Sequence, residues 1–175
     1  MATHVGIVGC SPPGAALCFE TLSNGASSLA NTSKRKLQVS LHSHALSDYM
    51  RAIDAGTWLG VAELMLSSAS KLATMGAEFV IAPCNTIHQA FDLVVAESPV
   101  PWLHIAEEVA RLAQQNGYTR LALLGTRFMM EGHICPSCFD RLGIDSMVPD
   151  ARNREFLNDP SIPRNLSRGF PPLTE

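Results

Sequence analysis

The sequence has little charge and no long apolar run, and each shortage excludes a class of protein. Charged residues make up 17% of its 175 residues, and the net charge is −3. A nucleic-acid-binding domain usually presents a basic face, so no nucleic-acid partner is expected. No apolar stretch approaches the length of a membrane span, so no membrane partner is expected either.

The features of a secreted protein are also missing. No charged region precedes the first apolar run, so we do not expect the N-terminus to be a signal peptide. The cysteines are odd in number and irregularly spaced: Cys10, Cys18, Cys84, Cys135 and Cys138. This pattern is typical of free thiols rather than of a disulfide framework. We therefore expect a reduced, cytoplasmic protein.

What the sequence does contain is an alternation of strand and helix patterns. The runs HVGIVGC, LQVSL, EFVIA and RLALL predict strands, and helical spacing of apolar residues separates them. This alternation predicts an α/β protein with a mostly parallel sheet, in which ligands lie outside the carboxyl ends of the strands. Three polar turns follow strands and should converge there: Gly9-Cys10-Ser11, Pro83–Thr86 and Gly125-Thr126.

Two segments are expected to be irregular. The first helix is predicted to end at Gly25, with a loop over Ala26–Arg35. After Asp150 the sequence has four prolines and no sustained period, which predicts an irregular tail over residues 151–175.

Cys84 is the strongest candidate for chemistry. It follows a predicted strand and precedes a helix, whose free N–H groups would favour a thiolate. His88 lies one turn later and is expected to add a donor or a positive charge. Asn85 and Thr86 offer neutral donors to a carboxylate or an oxyanion. The alternative is a buried structural cysteine.

These residues resemble a known family. The segment Pro83-Cys84-Asn85-Thr86-Ile87-His88 resembles the PCNTxH signature of the aspartate/glutamate racemases. Leu123–Arg127 resembles their second-half LLGT motif, Leu103-His104-Ile105 their LHI run, and Gly6–Ser11 their N-terminal Gly-rich turn. The resemblance runs from the first strand to about Asp150 and fades near Asn158.

The resemblance implies two Rossmann-like, flavodoxin-like lobes with parallel sheets. Residues 1–103 would form the first lobe, residues 104–150 an incomplete second lobe, and residues 151–175 the tail. Apolar sheet surface left uncovered by an incomplete lobe would favour association, so a homodimer is an open option.

The resemblance also implies a mechanism without pyridoxal phosphate, other cofactor or metal. One cysteine thiolate removes the α-proton of an amino acid, and a second thiol protonates the opposite face. Cys84 would be one base, and Asn85, Thr86, Thr126 and Ser11 would bind the substrate. Acidic amino acids are the first substrate class to expect.

The sequence departs from the family pattern in one decisive place. The family's second cysteine lies in a late Gly-Cys-Thr-Glu motif, and no such motif occurs here. We therefore expect impaired racemisation. The abrupt change near Asn158 is what a shifted reading frame or an altered splice junction would give, and a naturally evolved tail is the alternative.

Several other readings stay open. Cys10 is a supporting residue of the site or a small residue in a tight turn, and Arg127 meets a substrate carboxylate or lies at the surface. Cys135 and Cys138 form a lone CxxC without further metal ligands nearby. The rival functions are a catalytically inactive, racemase-like binding protein and a related enzyme such as a hydantoin racemase, maleate isomerase or arylmalonate decarboxylase.

Overall fold

The computed structural model describes residues 3–32 and 36–158, and its elements alternate between strand and helix. The strands are β1 (Thr3–Gly9), β2 (Leu37–Ser43), β3 (Phe79–Ile81), β4 (Trp102–Leu103), β5 (Arg120–Ala122) and β6 (Asp145–Met147). The helices are α1 (Pro12–Thr32), α2 (Leu46–Asp54), α3 (Trp58–Thr74), α4 (Phe91–Val95), α5 (Ile105–Gln115), α6 (Arg127–Met130), α7 (Ile134–Asp140) and α8 (Ala151–Asn158), with a 3₁₀ helix at Thr86–Ala90.

All described strand pairs are parallel. Four strands form one sheet in the order β2-β1-β3-β4, and β5 pairs with β6 in a second sheet. The central strand β1 is buried from Val5 to Gly9, because helices cover a parallel sheet on both faces. The predicted α/β class with a parallel sheet is confirmed.

Each sheet has its own hydrophobic core. The first core packs α2, α3 and α4 against β1 and β3, around Val8, Met65, Leu72 and Val80. The second core joins α5 and α7 to β5, around Ala110 and Phe139 on the two helices. The predicted lobe boundary after residue 103 stays a prediction, and it falls between these two groups of residues.

Glycine follows the end of three helices, whereas the first helix does not end at Gly25 as predicted. Gly76, Gly117 and Gly143 follow α3, α5 and α7 with φ of 91°, 72° and 69°, a backbone conformation that favours glycine. Gly25 has no positive φ, and the helix continues through it to Thr32. The predicted loop from Ala26 is therefore wrong up to Thr32, because an interior glycine weakens a helix without ending it.

The predicted irregular tail is wrong for its first eight residues. Residues 151–158 form α8, which begins after Asp150. The Asp150 carboxylate accepts a hydrogen bond from the Asn153 N–H at 2.9 Å, as an N-cap does. Arg154 then pairs with Glu131 at 3.2 Å, which ties α8 to the end of α6. The rest of the predicted tail, residues 159–175, lies outside the described residues.

None of the helices within residues 3–32 and 36–158 has the length and apolarity needed to cross a membrane.

Candidate active site

Cys10 and Cys84 lie beside each other at the carboxyl edge of the first sheet. In the pairing of β1 with β3, Ile7 is opposite Ile81. Cys10 and Cys84 each come three residues after this pair, just beyond the ends of the two strands. The Cys10 side chain is buried in the first core, and the half-buried Cys84 packs against that core. The structure therefore joins two of the three turns that were expected to converge.

Three groups around Cys84 lower the pKa of its thiol. The Cys10 thiol donates a hydrogen bond to the Cys84 sulfur, and this contact is the main reason that the Cys84 pKa falls to about 6. Burial acts in the opposite direction, and the backbone N–H groups of Ile87 and Thr86 lower the pKa further. The same contact, together with burial, raises the Cys10 pKa. The contact therefore favours the negative charge on Cys84 and the proton on Cys10.

The third turn reaches the site through two threonines. The Thr86 and Thr126 hydroxyls are 3.2 Å apart and share a hydrogen bond. Thr126 comes from the turn after β5, so this bond crosses from the second sheet to the first. A second contact joins the same two parts of the chain: the Phe128 ring on α6 packs edge-on against the Trp58 ring on α3, with centroids 5.8 Å apart. All three predicted turns therefore meet.

Ser11 shapes the start of α1 next to the site. Its hydroxyl accepts a hydrogen bond from the Gly14 N–H at 3.3 Å, as an N-cap residue does. A Cβ at Gly14 would lie 2.9 Å from the Ser11 hydroxyl oxygen and 3.1 Å from the Pro83 carbonyl oxygen. Glycine at this position therefore allows α1 to approach the segment that carries Cys84.

His88 does not have the role that its spacing suggested. Its Nδ1–H donates to the Cys84 carbonyl oxygen at 2.8 Å, and its Nε2 accepts from the Ile105 N–H at 3.4 Å. Both ring nitrogens are thus used by the backbone and neither donates to the thiolate. Burial lowers the His88 pKa to about 4, so the ring is neutral at pH 7. The expected positive charge near Cys84 is therefore wrong, and His88 instead ties the Cys84 segment to the start of α5.

This buried histidine predicts a loss of stability in acid. The pKa of His88 is about 4 in the folded chain, whereas an ordinary histidine, as in the unfolded chain, has a pKa of 6.5. As pH falls from 6.5 to 4, the unfolded chain gains a proton that the folded chain refuses, and the folded state loses up to about 3 kcal/mol. Urea unfolding across this range should show the loss. In the His88→Gln variant, which keeps an amide donor, the free energy of unfolding should fall less steeply as the pH is lowered. An unchanged pH dependence would contradict the assignment.

Arg127 lies in a different environment from the thiols. It is exposed at the start of α6, with its guanidinium carbon 5.2 Å from the centre of the Phe128 ring. It lines a cavity with Glu131, Arg154 and Glu155, in which Glu131 pairs with Arg154. The structure therefore gives Arg127 acidic neighbours on α6 and α8.

The remaining polar candidates have structural partners. His42 and His44 pair with the Ser68 and Ser67 hydroxyls at 2.9 and 3.1 Å. His104 caps α5 by accepting from the N–H groups of Ala106 and Glu107. Within the described ranges, no group of three or more His, Cys, Asp or Glu side chains is placed to hold a metal ion.

Sequence reasoning missed Tyr49, which is fully buried in the first core with Cys10. Burial raises the pKa of its phenol, and a negative charge on Cys10 would raise that pKa further, so the phenol lies near the thiols. The spacing of Tyr49 and Ile53 indicates one buried helix face, but the sequence gives no sign that this face points at the site.

Comparison with known proteins identifies one group of relatives. The sequence profile of the family described as Asp/Glu/Hydantoin racemase matches residues 7–173. This match passes the expected limit near Asn158, so that limit is wrong.

Three solved structures share the fold. A candidate Asp/Glu racemase from Yersinia pestis is 26% identical, with a TM-score of 0.80 over 89% of this chain and 68% of that one. An aspartate racemase homologue from Pyrococcus horikoshii is 24% identical, with a TM-score of 0.72 over 90% and 69%. The Picrophilus torridus aspartate racemase is 19% identical, with a TM-score of 0.68 over 89% and 65%. The last two identities show the fold alone, and this chain spans about two thirds of each relative.

Proposed function

Since the chain belongs to the Asp/Glu/Hydantoin racemase family, we propose that it acts on the α-carbon of a small amino acid without a cofactor. The Cys84 thiolate accepts the α-proton. Acidic amino acids are the first substrate class, by the resemblance of the Cys84 segment to the aspartate/glutamate racemases.

The observation that carries this proposal is the placement of Cys84, which follows β3 at the carboxyl edge of the first sheet and packs against the core that contains Cys10. A thiol removes a carbon-bound proton only in its ionised form. The Cys10 thiol and the N–H groups of Thr86 and Ile87 lower the Cys84 pKa to about 6, which favours the ionised form at neutral pH. A buried structural cysteine, the alternative reading of Cys84, would have a raised pKa, as Cys135 has through burial.

The neighbouring hydroxyls suit the other end of the substrate. As the α-proton leaves, negative charge grows on the α-carboxylate, and donors aimed at it lower the barrier. The Thr86 and Thr126 hydroxyls are 3.2 Å apart and come from different sheets, so together they can hold a carboxylate between the lobes. Asn85, half-buried beside them, adds an amide donor, and Ser11 has a hydroxyl hydrogen left after capping α1.

Cys10 does not provide the second base of a racemase. Inversion needs a proton donor on the face of the α-carbon opposite to the first base. Cys10 lies beside Cys84 at the same sheet edge and donates to its sulfur, so both sulfurs approach a substrate from one side. The 175 residues contain no Gly-Cys-Thr-Glu segment. We therefore propose that these residues supply proton removal and return on one face only.

This proposal predicts exchange without inversion. In deuterated water, one enantiomer of aspartate or glutamate should lose its α-proton signal in the proton NMR spectrum. Chiral chromatography of the same sample should show little or none of the other enantiomer. Rapid interconversion by the 175-residue chain would contradict the assignment of a single face, while exchange restricted to a non-acidic amino acid would change the substrate class and leave the Cys84 chemistry in place.

A ligand-binding protein without turnover is the second candidate, favoured by the missing second cysteine. It predicts that an acidic amino acid raises the melting temperature while no α-proton exchanges in either enantiomer. Thermal shift and NMR exchange on the same preparation separate the two functions. Exchange with any amino acid excludes the binding-only reading.

A further inference from the structure

We propose that Cys10 and Cys84 form an oxidisable dithiol, which a hydroperoxide converts to an intramolecular disulfide. This inference rests on the proposed thiolate at Cys84 and adds a second chemistry to the same site. The disulfide would block proton removal, because Cys84 would no longer have a free sulfur. A small thiol reductant would restore it.

The backbone geometry fits a disulfide. Adjacent strands lie about 4.8 Å apart, and disulfides join Cα atoms that are about 4.4 to 6.8 Å apart. The register that pairs Ile7 with Ile81 brings Cys10 and Cys84 to corresponding positions just beyond these two strands. Cys10 is buried in the first core and Cys84 packs against the same core, so the two side chains share one environment.

The two sulfurs differ in the way that such a reaction requires. Cys84 is half-buried and ionised, so it is the sulfur that an oxidant in solution reaches first. Cys10 is buried and protonated, so it is shielded from direct oxidation but touches the sulfur that is attacked. Cys84 therefore acts as the reacting thiol and Cys10 as the resolving thiol.

The reaction balances with hydrogen peroxide as the oxidant. The Cys84 thiolate attacks one peroxide oxygen, the S–O bond forms, and the O–O bond breaks to release hydroxide. The Cys10 sulfur then attacks the Cys84 sulfenic acid, the S–S bond forms, and the S–O bond breaks. The Cys10 proton leaves with the departing oxygen. The hydroxide released in the first step takes up the proton that Cys84 lost on ionising. In total, two thiols and one peroxide give one disulfide and two waters, and the sulfurs supply both electrons.

The other thiols are poor competitors. Burial raises the pKa of Cys18, Cys135 and Cys138, so these three stay protonated at neutral pH. Cys135 and Cys138 are also buried on α7 around the second core. A thiolate reacts with peroxide and a thiol hardly does, so oxidation should begin at Cys84.

The test is peptide mapping of the oxidised full chain. The chain is treated with hydrogen peroxide at pH 7, free thiols are alkylated, and peptides are mapped without reduction. We expect one cross-linked pair, Cys10 with Cys84, which dithiothreitol separates. The C135S/C138S double variant, which lacks the CxxC pair, should give the same product. Loss and recovery of α-proton exchange should follow the disulfide.

Three results would overturn the inference. The first is a wild-type chain in which only Cys135 and Cys138 join, and the second is one in which Cys84 proceeds to sulfinic acid while Cys10 stays reduced. The third is a Cys10→Ser variant that traps no more Cys84 sulfenic acid with dimedone than the wild type does. If Cys84 is oxidised but not cross-linked and exchange is active before oxidation, the proposed function survives. If Cys84 is inert to peroxide and to alkylation, the proposed thiolate fails as well.

Discussion

Replacing Cys84 by serine should lower the rate of α-proton exchange by about 10³-fold, because general-base catalysis contributes a rate factor of about 10² to 10⁴. Among the described residues, no other thiol at the sheet edge has a lowered pKa and could replace it. A serine hydroxyl fits the same space but does not ionise near neutral pH. The N–H groups of Thr86 and Ile87 that lower the Cys84 pKa would donate to a neutral oxygen instead. Proton NMR in deuterated water measures the rate directly.

Cys18→Ser is the matched control for this result. Cys18 is also half-buried, but it lies on α1 and burial raises its pKa. Its replacement should leave exchange within a factor of about 2, since a surface-side substitution away from the site rarely changes more than that. Comparable rates in C84S and the wild type would remove Cys84 from the chemistry, whatever the family membership implies.

The fold was predictable because its signals are local. The strand β1 is rich in β-branched residues and is buried from Val5 to Gly9, and that pattern is readable without any partner. The glycines after α3, α5 and α7 have positive φ, so a local preference and the final backbone agree. Gly25 shows the limit of this reasoning, because the residue type alone does not reveal which φ it will adopt.

The contacts of the site were only partly predictable. That Cys84 follows a strand is evident from the sequence, and so is the convergence of three turns. The direction of the His88 ring was not, because it depends on the Ile105 N–H, 17 residues away. Likewise, the contact between Cys10 and Cys84 depends on which strand neighbours β1. The order β2-β1-β3-β4 decides that, and no local pattern encodes it.

Replacing Cys10 by alanine should raise the pH at which Cys84 becomes reactive. Its hydrogen bond to the Cys84 sulfur is the largest contribution that lowers the Cys84 pKa, and burial opposes it. Without that donor, the pKa should rise from about 6 toward the ordinary thiol value of 9.0. The measurement is the pH dependence of iodoacetamide labelling of the Cys84 peptide. The readout is the pH at which labelling is half-maximal rather than the labelling rate at one pH. A thiolate with a higher pKa is also more nucleophilic, and this would partly cancel the loss of rate that comes from its smaller ionised fraction.

Cys10→Ser separates this electrostatic effect from a packing effect. Both variants remove the sulfur atom from the first core and so disturb the packing around Cys10. Serine keeps an O–H donor at this position, whereas alanine removes the donor. We expect the labelling midpoint of C10S to stay closer to that of the wild type, and the midpoint of C10A to move upward. The α-proton exchange of C10A should shift to higher pH by the same amount, since both readouts report one ionisation. Equal midpoints in C10A and the wild type, or an equal rise in both variants, would show that the backbone donors of Thr86 and Ile87 hold the thiolate without help from Cys10.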